Sequence, residues 1–387
     1  MSLLAYLKGL NVFTPSAKNC ELFLLRIQKV KVFKFFFFNI KSVSETETYW
    51  EKIRDLHFNK EEGSLYWIKK ARKFGINYKT DLPDLESFLM QEISVCDEKD
   101  LKEKPDEYFI PKKTLKEKPV HRMTSSGSTT GEKKVSFWTD EGLNYNAKHL
   151  AKVAKLYGLK ERMKWIVTGP SYPAPFEPLM ENLVLREMRG DLYFIPVETE
   201  QLKKKIAELP QQQLNLEKLL TNSYFEARLG PVWRETLKYL NTRKIDFLGT
   251  TLFMLPELEK QKGFENVKFV YVGGMEIPFE LYKFWKERLE KEGKKIITSY
   301  GHYIFGLFFD MPNAELTYYS AAPQSFLYVT EEQDPFKLVK YGERGRIRYL
   351  KMDEAMLWCQ QERDLAERVK PNEYFNWDGV KQIEAKF

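Results

Sequence analysis

Thr124 to Gly131 pack six hydroxyl side chains and two glycines into eight residues, and Glu132, Lys133 and Lys134 follow. Glycines let backbone N–H groups approach phosphate oxygens, Ser and Thr add donors, and lysine adds charge. From the residues alone two readings stand: a phosphate cradle and a polar connector. A Walker A loop needs GxxxxGK followed by Ser or Thr. Here three residues separate Gly127 from Gly131, and Glu132 follows where the lysine would be, which disfavours a P-loop kinase or ATPase.

The other chemistry-bearing residues are scattered. Cys20, Cys96 and Cys359 form no CxxC pair, and His57, His121, His149 and His302 show no HxxxH spacing. A disulfide framework and a zinc site are therefore not expected, and a reduced, cytoplasmic setting is. Lys+Arg 62 against Asp+Glu 55 gives a net charge of +7. That excess suits anionic small molecules, and no basic stripe with interleaved aromatics indicates nucleic acid.

The elements that must position the loop follow from hydropathic spacing. The apolar runs of residues 1–45 are interrupted by lysines and fall short of the roughly 20 residues that span a bilayer, so no transmembrane helix or signal peptide is expected. Residues 46–120 read as a helical preamble: TETYWEKIRDLHF, then EEGSLYWIKKARKFG stopping at Gly75, then LPDLESFLMQEIS and a charged connection broken at Pro105. Beyond the loop, VSFW reads as a strand and Thr139 or Asp140 as the cap of a helix ending at Gly158. WIVTG, DLYFIPV, KIDFLGT, VKFVYVGG and KIITSYG then alternate with helices, among them one near WRETLKYLNTR and one through LPELEKQKG. This rhythm predicts an α/β core over 121–311 with a mostly parallel sheet flanked by helices. Its ligands would sit beyond the carboxyl ends of the strands. From 312 to 387 LTYYSA, SFLYVT and GRIRYL predict a small β-rich subdomain.

SSGSTTGEKK resembles the phosphate-binding motif of the adenylate-forming (acyl-CoA synthetase-like) superfamily, roughly (S/T)SGTTGxPK, with one extra residue between the glycines and Lys133 in place of proline. The resemblance continues in order. EKDLKEKP stands where the phenylacetate-CoA ligase-like branch has "K.DLR…P". GDLYFIPV, KIDFLGTTLFMLPELEK, VYVGGMEIP, SYGHYIFG, GERGRIRYL and QERDLAERV are similar to the family's later segments, SYGHYIFG standing for YGxTE. The similarity spans about residues 46 to 387 and implies the larger domain of such an enzyme.

By this resemblance Ser125, Ser126, Gly127, Ser128, Thr129, Thr130, Gly131 and Lys134 would surround the phosphates of ATP or AMP. Gly273, Gly274 and Met275 would line the adenine side, Tyr300 would stack on the base, Gly301 would let the backbone approach, and Asp364 would bind the ribose hydroxyls. His302 could face the substrate. The implied reaction is ATP-dependent activation of a carboxylic acid, aryl or fatty, as an acyl-adenylate, with Mg²⁺ as cofactor and coenzyme A or another thiol as acceptor. The alternative is a catalytically degenerate nucleotide- or acyl-binding partner protein.

Two departures bear on that choice. Ile304 occupies the position of the family's Mg²⁺-binding glutamate, for which Asp310 or a loop carboxylate would have to substitute. The resemblance would continue into a mobile carboxyl-terminal lid after VKQIEAKF, and this lid is expected to be missing or supplied elsewhere, by a separate lid protein or in a homodimer. The related acyl-protein synthetase transfers its acyl group through a cysteine, and none of the three cysteines here matches that arrangement.

Overall fold

The computed structural model describes residues 40–125, 134–198, 215–274 and 277–385, together with 202, 205–206 and 208–209. The preamble is helical: α1 (Ile40–His57), α2 (Leu65–Phe74), α3 (Tyr78–Asp81), α4 (Leu85–Leu89), α5 (Glu98–Glu103) and α6 (Lys112–Glu117). Ser64 caps α2 by accepting from the Trp67 N–H, and Gly75 stops it in the left-handed region at φ 66°. Helix α5 lies in the stretch expected to be a connection. Asp97 caps it by accepting from the Lys99 N–H, and acidic residues in its first turn suit the positive end of the helix.

The preamble is anchored by aromatic packing. Trp50 lies 4.7 Å from Phe88, and Tyr66 lies 5.5 Å from Trp358. Residues from α1 and α4 thus share one core with the later strands. Buried Arg348 ties the two parts further, donating to the carbonyls of Leu89 and Pro335.

Strands β1 (Val120–Thr124) and β2 (Val135–Thr139) form an antiparallel hairpin around the hydroxyl-rich loop. Thr139 caps α7 (Asp140–Leu156) by accepting from the Gly142 N–H at 3.0 Å, and Gly158 follows at φ 90°.

The main sheet contains β3 (Lys164–Gly169), β4 (Asp191–Pro196), β5 (Phe247–Thr250), β6 (Phe269–Val272), β7 (Lys295–His302) and β8 (Gly306–Phe309), in the order β4-β3-β5-β6-β7-β8. All neighbours are parallel except β7 and β8. Most of β3, β5 and β6 is buried, which is why these strands read as continuous apolar runs. Helices cover the faces: α8 (Phe176–Glu181), α9 (Leu216–Thr221), α10 (Ser223–Thr242), α11 (Leu255–Leu258) and α12 (Phe279–Lys291).

Two helices differ from expectation. α10 begins ten residues before WRETLKYLNTR, capped by Asn222 and running through Pro231. α11 has a single turn, and a 3-10 turn at Lys262–Asn266 follows. Gly263 passes so close to α10 that a Cβ there would lie 1.9 Å from the Leu240 carbonyl oxygen.

The remaining strands, β9 (Thr317–Tyr319), β10 (Ser325–Thr330), β11 (Arg344–Met352), β12 (Leu357–Val369) and β13 (Gly379–Glu384), form an antiparallel sheet in the order β10-β11-β12-β13-β9. The fold is therefore α/β with a mostly parallel sheet plus a β-rich part. Strands β12 and β13 are additions to the expected pattern, because the charges of QQERDLAER hid a strand. No helix among the described residues is long and apolar enough to cross a membrane.

Candidate nucleotide site

The hairpin carries the first part of the site. The Ser125 N–H donates to the Lys134 carbonyl at 2.8 Å, and the Lys134 N–H donates to Ser125 Oγ at 3.0 Å. These bonds bring the two ends of the loop together. Ser126, Gly127, Ser128, Thr129, Thr130 and Gly131 lie outside the described residues, as does Met275.

At the carboxyl end of β7 the Tyr300 hydroxyl donates to Asp364 Oδ2 at 3.1 Å, joining residues 64 apart. Burial and the adjacent Asp364 charge push the Tyr300 phenol well up, so it remains the donor. Burial also raises Asp364, against the pull of the Tyr300 hydrogen bond. The expected base-stacking tyrosine and ribose-binding aspartate are thus in contact.

Gly273 and Gly274 follow β6, the neighbour of β7. A Cβ on Gly273 would come within 2.4 Å of the Tyr271 hydroxyl and 2.7 Å of Ser299 Oγ, and Gly274 has φ 78°. Both positions need glycine for reasons internal to the chain. At Gly301 a Cβ would lie 2.8 Å from a Leu307 methyl group, the movable end of that side chain.

Lys134 Nζ lies 2.8 and 2.7 Å from the two carboxylate oxygens of Glu98 on α5. The Tyr303 hydroxyl donates to Glu98 Oε1 at 3.1 Å. His302 Nδ1 accepts from the Ile304 N–H at 3.2 Å, which assigns the proton to Nε2, and Nε2 faces Glu362 Oε1 at 3.1 Å. Phe305 stacks on the His302 ring at 4.6 Å. Glu362 and Asp364, two apart on β12, lie where its pairing with β11 is irregular, between the Gln361–Arg348 and Leu365–Arg346 pairs. Burial would raise Glu362, but the His302 ring and the Lys134 charge outweigh it and hold the carboxyl below its usual range.

Ile304 is fully buried, so the residue at the family's metal position faces the core. Asp310 does not substitute for it. It too is fully buried, its Oδ1 accepts from the Thr298 N–H at 2.7 Å, and burial pushes its carboxyl up to about 7. Oxygen donors are instead present at Glu98 and Glu362. With His302 they form a group whose potential ligand atoms lie within 4.8 Å of one another, and both carboxylates are already paired, Glu98 with Lys134 and Glu362 with His302.

Sequence reasoning missed both glutamates. Glu362 stands two residues before Asp364, but the irregular pairing of β12 there means that its direction does not follow from strand alternation. Glu98 gave no local signal. Cys96 and Cys359 are buried and burial raises both thiols, which fits neither for acyl transfer; Cys20 lies outside the described residues.

No family model and no curated protein matches this chain. Solved structures do. A structure of 2-hydroxyisobutyryl-CoA ligase in complex with 2-HIB-AMP and CoA in the thioesterification state aligns with TM-score 0.59 at 14% identity, over 89% of this chain and 68% of that one. An open conformation of the same ligase with 2-HIB-AMP and CoA gives TM-score 0.58 at 14% identity, over 86% and 72%. At this identity the likeness is one of fold: the chain has the α/β fold of adenylate-forming acyl-CoA ligases.

Proposed function

We propose that the protein binds ATP or AMP at the carboxyl end of β7 and activates a carboxylic acid by adenylation. The observation that carries this reading is the contact of Tyr300 with Asp364, beside a lysine at the foot of a hydroxyl- and glycine-rich loop. An aromatic face suits a purine, carboxylate oxygens suit the two ribose hydroxyls, and Lys134 suits phosphate. The ligases of like fold are captured with 2-HIB-AMP, an acyl-adenylate by its name.

In the proposed step a substrate carboxylate oxygen attacks the α-phosphorus. The bond from that phosphorus to the bridging oxygen breaks, and pyrophosphate leaves with the electron pair. No proton need move. The chain's task is alignment and charge neutralisation: Tyr300 and Asp364 would hold the nucleoside, and Lys134 would turn from Glu98 to the phosphates. A divalent cation, when bound, would supply further neutralisation of the triphosphate, with Glu98 and Glu362 as its protein ligands. Transfer of the acyl group to coenzyme A or another thiol would be the second half-reaction, and the acid is of the aryl or fatty class.

Buried Ile304 favours the second reading, a catalytically degenerate nucleotide- or acyl-binding partner protein. Exchange of labelled pyrophosphate into ATP, measured across aryl and fatty acids, separates the two. Acid-dependent exchange is expected. Nucleotide binding without exchange for any acid would leave the partner reading, and absence of nucleotide binding would remove the enzyme reading and leave only an acyl-binding partner.

A further inference from the structure

The hairpin that carries Lys134 is a sheet of its own: among the described residues β1 and β2 pair with each other and with no further strand. Side chains fasten it to the rest of the chain. Ser136 Oγ donates to the Tyr303 carbonyl at 2.7 Å, and buried Lys351 Nζ on β11 donates to the Phe137 carbonyl at 2.9 Å. The same ammonium lies 3.2 Å from the centre of the Trp138 ring. Asp353, just past β11, accepts from the Thr139 hydroxyl at 3.3 Å and from the Ala355 N–H at 2.7 Å. Three successive residues of β2 are therefore held from one segment. Lys351 and Asp353 are each 1% exposed. Burial pushes the ammonium down and the carboxyl up, and each charge opposes the other's shift. An apolar side chain would fill the space without that cost, so what the lysine adds is a donor aimed at the backbone of β2.

We infer that Lys351, with Asp353 as its counter-charge, is a positioning residue that clamps β2 to β11 and thereby sets where Lys134 stands. Lys134 lies three residues before Phe137, and its bonds with Ser125 close the hairpin at that end. Fixing Phe137, Trp138 and Thr139 fixes the direction in which the strand delivers both loop ends. Misplacement of a reacting or charge-stabilising group by about 1 Å can cost about 10²-fold in rate, so such a clamp matters far from the chemistry. The clamp stands on the hairpin geometry; its consequence for phosphate binding rests on the proposed function.

Hydrogen–deuterium exchange of the full chain tests the clamp without nucleotide. In the wild type the β1 and β2 amides should be protected to within about a hundredfold of those of β3, although β3 sits inside the main sheet. The double variant Lys351→Met/Asp353→Asn removes both charges together and keeps an acceptor for the Ala355 N–H. In it the hairpin should exchange about tenfold or more faster while β3 is unchanged. A wild-type hairpin that exchanges like an exposed loop would overturn the clamp whether or not the variant folds. So would a variant hairpin within about twofold of the wild type, or an acceleration matched in β3. Competition binding of ATP and adenosine reads the consequence for the site. The double variant should lose about tenfold in ATP affinity and little in adenosine affinity, and adding Lys134→Ala should cost no more than it does alone, since both act through one contact. Equal losses for ATP and adenosine, or full additivity with Lys134→Ala, would remove the positioning role. If the wild type binds neither ligand the proposed function fails, and the exchange comparison still decides the clamp.

Discussion

Among single residues, Lys134 and Tyr300 make the sharpest predictions. Lys134 follows the loop directly in sequence and is paired with Glu98. Lys134→Ala should lower pyrophosphate exchange by about 10²–10³-fold, the usual effect of deleting one group that stabilises developing charge. Tyr300→Ala should weaken nucleotide binding by about 1–3 kcal/mol, whereas Tyr300→Phe keeps the ring and should cost less. Fluorescent nucleotide titration checks both, and equal losses for the two Tyr300 variants would show that its hydroxyl and not its ring matters. These positions were legible because their types and order carried the signal. Glu98 was not, because its meaning depends on Lys134, 36 residues away, and on Tyr303, 205 residues away.

The elements hold these side chains through buried polar pairs. Arg368 on β12 and Asp378, just before β13, pair at 2.7 Å with side chains 8% and 1% exposed. Removing one partner leaves a buried charge, so Asp378→Ala should cost about 3–5 kcal/mol in urea unfolding. Asp310, at the end of β8, gives a pH signature. Its folded carboxyl keeps a proton up to about 7, while the unfolded chain releases it near 3.8. The folded state therefore binds more protons between those values, and this contribution to stability is present below the lower value and lost as pH rises through the upper one. Asp310→Asn keeps the acceptor for the Thr298 N–H. Its melting temperature should match the wild type near pH 4 and exceed it by pH 8; a difference that does not change with pH would contradict the assignment.

Across the whole molecule, the site is built from parts remote in sequence: α5, the β1–β2 hairpin, the end of β7 and the middle of β12. A ligand bridging them stabilises the folded chain as one unit. ATP at about 100 times its dissociation constant should raise stability by about 2.7 kcal/mol. Differential scanning calorimetry reads this as a nucleotide-dependent shift in melting temperature. The Tyr300→Ala variant should need more nucleotide for the same shift.

The sequence by itself determined the alternation of strands and helices, the stop at Gly75 and a helix cap at Thr139 or Asp140, while the loop, Tyr300 and Asp364 entered as candidates through the family resemblance. These are local properties: hydropathic period, capping chemistry, and the residue types a phosphate or purine requires. Only the tertiary structure decided that Ile304 is core, that Asp310 is sealed behind the sheet, and that Glu98 and Glu362 stand around Lys134 and His302. The physical reason is that a charge acts through space. Burial and proximity, not position along the chain, set which carboxylates face one another and therefore which can meet a cation.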